Sequence, residues 1–388
     1  MNKEENFVKK TVLAMAIVAC ALMVSAYTYA ESKEYRVGCL FDKTGSAAWL
    51  GEPQWGTAKM IEKEINDAGG INGHKLILEM EDSQGENNVA KEKVKKLISK
   101  KVCAIVGPSR TGTTMTIIDD MNNAQIPLLS CASAEDITKP VADRKWIFKT
   151  APHDSDAVRK IYDHLKEKGI TDIGIITGTS AFGAAGRTQM KGLAKEYGIN
   201  ILADETYNPN DTDMTPQLVK IRNANVKALI NWDIVPAQSI VPKNMKQLKI
   251  EIPLYQSHGF ANIKYAEAAG AAAEGTIFPA GRIMAADTLA DANPQKAVLM
   301  KYKKEYETKH KDNVSTFGGH AYDSLWLVIN ALKAVGDDPA KIRDYLEKTE
   351  FSGIGGLFKY SAQDHCGLDK NAFELLTVKD GKFVVFGK

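Results

Sequence analysis

Short apolar runs alternate with longer amphipathic stretches along most of the chain. YRVGCLF (Tyr35 to Phe41) reads as a strand, and the stretch from Ala48 to Ala68 reads as a helix that stops at Gly69-Gly70. KLILEME (Lys75 to Glu81), CAIVG (Cys103 to Gly107) and PLLS (Pro127 to Ser130) follow as strands. Between them lie a Lys/Glu-rich helix ending near Lys100 and a helix starting near Thr111. Continuous apolar runs of this length, separated by helices, predict a parallel sheet covered on both faces. The pattern then returns in IGIIT (Ile173 to Thr177), NILADETY (Asn200 to Tyr207), KALINW (Lys227 to Trp232) and PLYQS (Pro253 to Ser257). Two successive arrays predict an α/β protein with two lobes, each a mainly parallel sheet with helices on both faces. WIFKTAP (Trp146 to Pro152), GTIFPAGR (Gly275 to Arg282) and GGLFKYSAQ (Gly355 to Gln363) read as extended crossovers, hence a three-segment hinge. Long helices, Pro294 to His310 and Gly318 to Ala334, follow the second crossover, and the strands Phe373 to Val378 and Lys382 to Phe386 close the chain. Lobe 1 is expected to hold 33–150 and 282–358, and lobe 2 to hold 151–281 and 359–388.

The first thirty residues stand apart from this alternation. Lys3, Lys9 and Lys10 precede an apolar run from Thr11 to Ala26, and Thr28 and Ala30 occupy the −3 and −1 positions of a small-residue cleavage site before Glu31. That order is the signature of a secretory signal peptide over 1–30, which predicts export to the periplasm. IVAC, ending at Cys20, allows a lipoprotein reading, but the apolar run continues past Cys20. No other segment is apolar enough to span a bilayer, which takes ~18 or more such residues. The 388 residues exceed one ordinary domain of ~100–200 residues, which fits two lobes. Fifty Lys and Arg stand against 48 Asp and Glu, so there is no basic field to attract nucleic acid. Cys39, Cys103, Cys131 and Cys366 lack CxxC or zinc spacing and read as buried free thiols.

Candidate chemistry lies in two turns after strands, where open α/β sheets bind ligands. In VGPSRTGTT (Val106 to Thr114), Ser109, Thr111, Thr113 and Thr114 crowd the start of a helix, whose free N–H groups favour an anion. In LLSCASAED (Leu128 to Asp136), the small residues Ser130 to Ala134 let a ligand approach the backbone, and Ser133 adds a hydroxyl. Neither turn contains a lysine or the GxxxxGK[ST] pattern, so a carboxylate fits better than a phosphate. Arg110 and His365 read as surface residues. There is no GxSxG, HExxH, CxxC or GxGxxG in a strand–turn–helix setting, so neither catalysis nor a metal or cofactor is expected.

FDKTGSAAWLG (Phe41 to Gly51), NDAGGINGHKLILEMEDSQG (Asn66 to Gly85), VGPSRTGTT, LLSCASAED and VKDGKFVVF (Val378 to Phe386) together carry a resemblance. From about Tyr35 to its end the chain resembles the periplasmic solute-binding proteins of the Leu/Ile/Val-type ABC importer family, with the type I two-lobed fold. The resemblance implies a monomeric binding protein that closes on a small molecule about residues near Thr150, Pro279 and Lys359. It then delivers the ligand to a membrane permease powered by ATPase subunits. It also implies a ligand carboxylate held by Thr111 and by Ala132, Ser133 and Ala134. The family's second-turn threonine is Ala134 here, and its Tyr-Gly pair is Phe182-Gly183. Its ammonium-binding acid falls at His258, and a tyrosine falls at Ile234, beside Trp232 and Asp233.

A buried ammonium without a carboxylate costs several kcal/mol, and histidine does not replace that carboxylate by charge. The leading expectation is therefore an apolar or aromatic acid without an amino group. Trp49, Phe182, Trp232 and Phe260 would wall it, and His258 would meet a distal polar group. The alternatives are a branched-chain amino acid held by another acid such as Asp233, or a receptor module that reports its ligand to a sensor kinase.

Overall fold

The computed structural model describes residues 34–387; the expected signal peptide and Cys20 lie outside the described residues. The first sheet consists of β1 (Glu34–Phe41), β2 (Lys75–Asp82), β3 (Ile105–Val106), β4 (Leu128–Ser130) and β5 (Ile147–Lys149). All five strands are parallel, in the order β2-β1-β3-β4-β5. Parallel strands need crossovers, and α1 (Ala48–Asp67), α2 (Asn87–Ser99) and α3 (Thr111–Ala124) supply them. Side chains of β1 divide between the two faces: Val37, Cys39 and Phe41 join one apolar cluster and Leu40 joins the other. Both faces are therefore covered, as the unbroken apolar runs require.

The second sheet repeats this plan with β6 (Asp172–Gly178), β7 (Asn200–Tyr207), β8 (Ala228–Trp232), β9 (Leu254–Gln256) and β10 (Ile277–Gly281), all parallel. Its helices are α4 (Asp154–Glu167), α5 (Ala181–Tyr197), α6 (Thr215–Asn223), α7 (Ile240–Gln247) and α8 (Ile263–Ala269). The inner strand β6 is buried beyond its first residue, whereas the edge strand β7 beside it stays largely accessible. After β10 the chain returns to the first sheet through α9 (Lys296–His310), α10 (Thr316–Val335) and α11 (Pro339–Leu346). α10 packs on α1 and is apolar on nearly every side, as a buried helix must be. A hairpin of β11 (Glu350–Ser352) and β12 (Leu357–Lys359) follows. The chain then adds β13 (Phe373–Lys379), antiparallel to β10, and β14 (Lys382–Val385) at the edge of the second sheet.

Two of the expected crossovers, around 146–152 and 275–282, end as strands β5 and β10 before the chain changes sheet. The third change comes later than expected. Phe358, Tyr360, Cys366, Leu368 and Ala372 all pack in a first-sheet cluster, and Phe373 is the first residue to join the second. Tyr360 Oη donates to the Lys149 carbonyl at 2.8 Å, and Lys149 N–H donates to the His365 carbonyl at 3.0 Å. His365 is not a surface residue: its ring is buried and stacked on Phe148 at 4.1 Å. The four described cysteines are free and buried. Among the described residues, no helix is long and apolar enough to cross a membrane.

Candidate functional site

The two expected turns lie at neighbouring carboxyl ends of the first sheet, after β3 and after β4. Arg110 enters α3 in an extended conformation and gives no side-chain cap, so the first N–H groups of the helix keep no local acceptor. Of the four hydroxyls in this turn, only that of Thr111 is buried without a partner. Ser109 Oγ accepts from Asp42 N–H at 2.9 Å, Thr113 Oγ1 donates to the Arg110 carbonyl at 3.1 Å, and Thr114 Oγ1 meets Ser130 Oγ at 2.9 Å. Arg110 does not face solvent freely, because its Nε pairs with the buried Asp42 at 3.1 Å.

In the second turn Ala132, Ser133 and Ala134 are all buried. Ser130 Oγ accepts from Ala132 N–H at 3.1 Å and so closes the exit from β4. Beneath the turn lies Lys149, fully buried, whose Nζ donates to the carbonyl of Ser133 and to that of Ala134 at 3.2 Å. Burial lowers the pKa of this ammonium, and the neighbouring acids only partly restore it.

From the second lobe, His258 reaches across the cleft, and its Nε2 meets Ser133 Oγ at 2.8 Å. The ring leaves a short helical turn after β9, where Ser257 Oγ accepts from Gly259 N–H at 3.1 Å. Phe182, Trp232 and Phe373 surround it at centroid distances of 5.4, 5.5 and 5.5 Å. Phe182 takes this place because α5 passes close to β6: a Cβ on Gly183 would lie 1.9 Å from the Gly178 carbonyl oxygen. Trp232 fits under the same helix, where a Cβ on Gly186 would lie 2.1 Å from the indole Nε1.

Two buried acids stand near these rings. Asp154, the first residue of α4, lies 3.8 Å from His258 Nε2, and neither of its carboxylate oxygens has a partner. Burial raises its pKa to about 7, against the pull of Lys149. Asp233 is also raised to about 7 by burial, but its Oδ1 accepts from Ile234 N–H at 2.8 Å and its carboxylate packs under Gly178. Burial, with His320 and Lys149 adding to it, depresses His258 to about 3, so the imidazole is neutral at pH 7.

Thr111 and Phe182 line the mouth of the cleft, and Ser133, Trp232 and His258 meet deeper in, with Ala132 and Ala134 beside them. The lobes are closed: the cavity behind His258, lined also by Pro152, Ile283, His320 and Phe373, is about 20 Å³, room for a water. Two expected wall residues are elsewhere. Trp49 sits on the seam between lobes, its ring edge against Tyr265 at 5.1 Å and its carbonyl accepting from Asn262 Nδ2 at 2.9 Å. Phe260 is core, packed on Phe278 at 5.2 Å and on Phe383 at 5.9 Å. Asp154 and Lys149 were absent from the sequence expectation. An acid in the first turn of a helix ordinarily just complements the helix dipole, and a lysine ending an apolar run ordinarily marks its exposed edge. A signal did exist in Lys149: it is the sole charge in a run that must be buried on both faces.

The model of the family described as periplasmic binding protein matches residues 34–382. The chain belongs to the periplasmic binding protein family. Its fold is the two-lobed type I form, and its type is the Leu/Ile/Val one, that of binding proteins rather than enzymes, with an extracytoplasmic location. It is 24% identical over 357 residues to the leucine-, isoleucine-, valine-, threonine- and alanine-binding protein of Pseudomonas aeruginosa, covering 90% of this chain and 91% of that one. An extracellular ligand-binding receptor from Rhodopseudomonas palustris superposes with a TM-score of 0.85 at 25% identity, over 91% of this chain and 99% of that one. The branched-chain amino acid transporter substrate-binding protein of Streptococcus pneumoniae, solved with isoleucine, gives a TM-score of 0.79 at 26% identity, over 90% and 98%. These likenesses agree with the resemblance carried by the sequence motifs.

Proposed function

We propose that this periplasmic binding protein is the substrate-binding component of an ABC importer, and that it captures an apolar α-amino acid between its lobes for delivery to a membrane permease. The observation that carries this reading is Asp154. The sequence expectation of a ligand without an amino group rested on the missing acid at His258, and Asp154 is an acid beside that histidine. Its carboxylate, buried with both oxygens unpaired, is costly in the closed cleft, and a ligand ammonium offsets that cost. Thr111 and the 132–134 turn would take the carboxylate, and Phe182, Trp232 and Phe373 would take the side chain. The names of the Pseudomonas and Streptococcus relatives support the same ligand class. Closure about the three chain crossings, near 150, 281 and 372, would bring His258 over the bound ligand, the usual device of such proteins. Expected consequences are a leader removed before Glu31 and a monomer that compacts on loading.

The test is calorimetric titration of wild type and Asp154→Asn with isoleucine, valine and their deaminated acids. Wild type should bind an amino acid, and Asp154→Asn should lose at least about a hundredfold, since breaking a buried pair costs roughly 3–5 kcal/mol. Wild-type affinity should also rise with pH through about 7, where Asp154 ionises. The same shift works against the empty protein: its acid is raised from 3.8 to about 7, so stability falls as pH climbs through that interval, and Asp154→Asn removes the fall. A second reading, an apolar acid without an amino group, is favoured by the neutral His258 in the family's acid position. Wild type ignoring amino acids and binding the deaminated acids would establish that reading instead.

A further inference from the structure

Among the described residues, Lys149 is the only buried lysine, and both of its hydrogen bonds go to peptide carbonyls of the 132–134 turn. Burying an ammonium is costly, and two neutral acceptors repay only part of that cost. The arrangement has a geometric consequence. In a planar trans peptide the C=O of one residue and the N–H of the next point in opposite directions. Anchoring the Ser133 and Ala134 carbonyls on Nζ therefore turns the N–H groups of Ala134 and Glu135 away from the lysine. Neither N–H finds a backbone or side-chain acceptor among the described residues. Two amide donors and, behind them, a fixed positive charge are an anion site built from the back.

We propose that Lys149 is a positioning residue for the ligand's anionic head group: it aims the turn's N–H groups at the head group and lends it a buried positive charge, so that the site selects a carboxylate over the corresponding amide. The proposal rests on the reading that this turn holds the ligand carboxylate, but not on the ligand's having an amino group. The acids around the site are Glu135 and Asp136 after the turn and Asp154 and Asp156 on α4, while the buried Cys366 thiol, pushed up to about 11, carries no charge. Of these, Asp154 is fully buried and lies 3.8 Å from His258 Nε2.

The experiment is titration with isoleucine and isoleucinamide, and with 3-methylpentanoate and 3-methylpentanamide, against wild type, Lys149→Arg, Lys149→Gln and Lys149→Met. Wild type should prefer the acid in the pair it binds by about ten- to a hundredfold, the range for hydrogen bonds to a charged group. Lys149→Arg should keep most of that preference. Lys149→Gln retains a donor and loses the charge, so it should lose acid affinity while amide affinity holds within a few-fold. Mere structural damage would weaken acid and amide alike, and that result in Lys149→Gln would overturn the proposal. A wild type indifferent to acid versus amide would overturn it without any variant, even where Lys149→Met fails to fold. Binding of 3-methylpentanoate but not isoleucine would sink the amino-acid reading alone, and the second acid–amide pair would then decide the role of Lys149.

Discussion

The two walls of the cleft are built on different principles. The first-lobe wall is made of main chain and hydroxyls: the uncapped start of α3, the Thr111 hydroxyl and the 132–134 turn held on Lys149. The second-lobe wall is made of rings: Phe182, Trp232 and Phe373 each packed on His258. On the first wall Ala132 and Ala134 contribute through amides that any small residue would also offer. On the second, each ring contributes shape that no other side chain reproduces. On the proposed reading, head-group recognition would therefore tolerate side-chain change, while the ligand's body would be read by residues that can vary one at a time. Asp154 belongs to neither wall. It stands where the chain first leaves one sheet for the other, next to the contact between the lobes.

The comparison breaks most severely at Gly183. This glycine has an ordinary helical role in sequence, yet its α-carbon lies against the Gly178 carbonyl, and any Cβ would overlap it at 1.9 Å. Gly183→Val should push α5 off β6 and take Phe182 out of the ring wall. Overpacking of this kind costs on the order of 1–3 kcal/mol, and contact with rigid backbone puts it at or above the top of that range. Thermal unfolding should show the second lobe melting earlier, with ligand binding lost. A variant with unchanged melting and affinity would mean that the ring wall does not depend on this close approach.

The elements themselves were largely legible. Strands buried on both faces leave unbroken apolar runs, so β1, β6 and β8 were found to within about a residue at each end, and the more accessible edge strands β2 and β7 were matched as closely without being buried on both faces. The hairpin β11–β12 was not, because its strands are short and largely accessible and carry no such run. Thr111, Ser133, Phe182 and His258 lie around one cleft, and turn chemistry and motif spacing, being local, are what singled them out. Trp49 and Phe260 were misplaced because the sequence gives an aromatic residue's neighbourhood but not the direction of its ring. Asp154 and Lys149 were missed for a different reason. Each has an ordinary local explanation, and only the packing of one sheet against the other shows that both are buried.

A smaller effect sharpens the second wall. His258 meets Ser133 across the cleft, and a ligand must open that contact to enter. With an amino-acid ligand paired to Asp154, His258→Ala should change affinity by only a few-fold, and His258→Glu should hold or tighten it by adding a second acid near the ammonium. With an acid lacking the amino group, losing the imidazole's hydrogen bond should cost roughly 1–3 kcal/mol, about ten- to a hundredfold. His258→Glu should then be worse still. Calorimetry of both variants separates the two ligand classes from the side of the rings.

The smallest expected effect concerns the seam rather than either wall. Asn262 does two things: its Oδ1 accepts from Lys264 N–H at 3.1 Å as the cap of α8, and its Nδ2 donates to the Trp49 carbonyl across the lobes at 2.9 Å. Asn262→Ala would remove both and confuse them. Asn262→Ser keeps a capping oxygen and loses the cross-lobe donor, leaving the Trp49 carbonyl to water. One such bond contributes about 0.5–1.5 kcal/mol net, and it exists only when the lobes are together, so its loss shifts the closed population by about two- to tenfold. Because Trp49 is on the seam and lines neither wall, every ligand should weaken by the same factor, with the change mainly in the rate of release. Stopped-flow release of two ligands that differ in side chain tests this. Unequal weakening would place Trp49 in contact with the ligand after all, and the division into a charge-reading wall and a shape-reading wall would then fail at the first lobe.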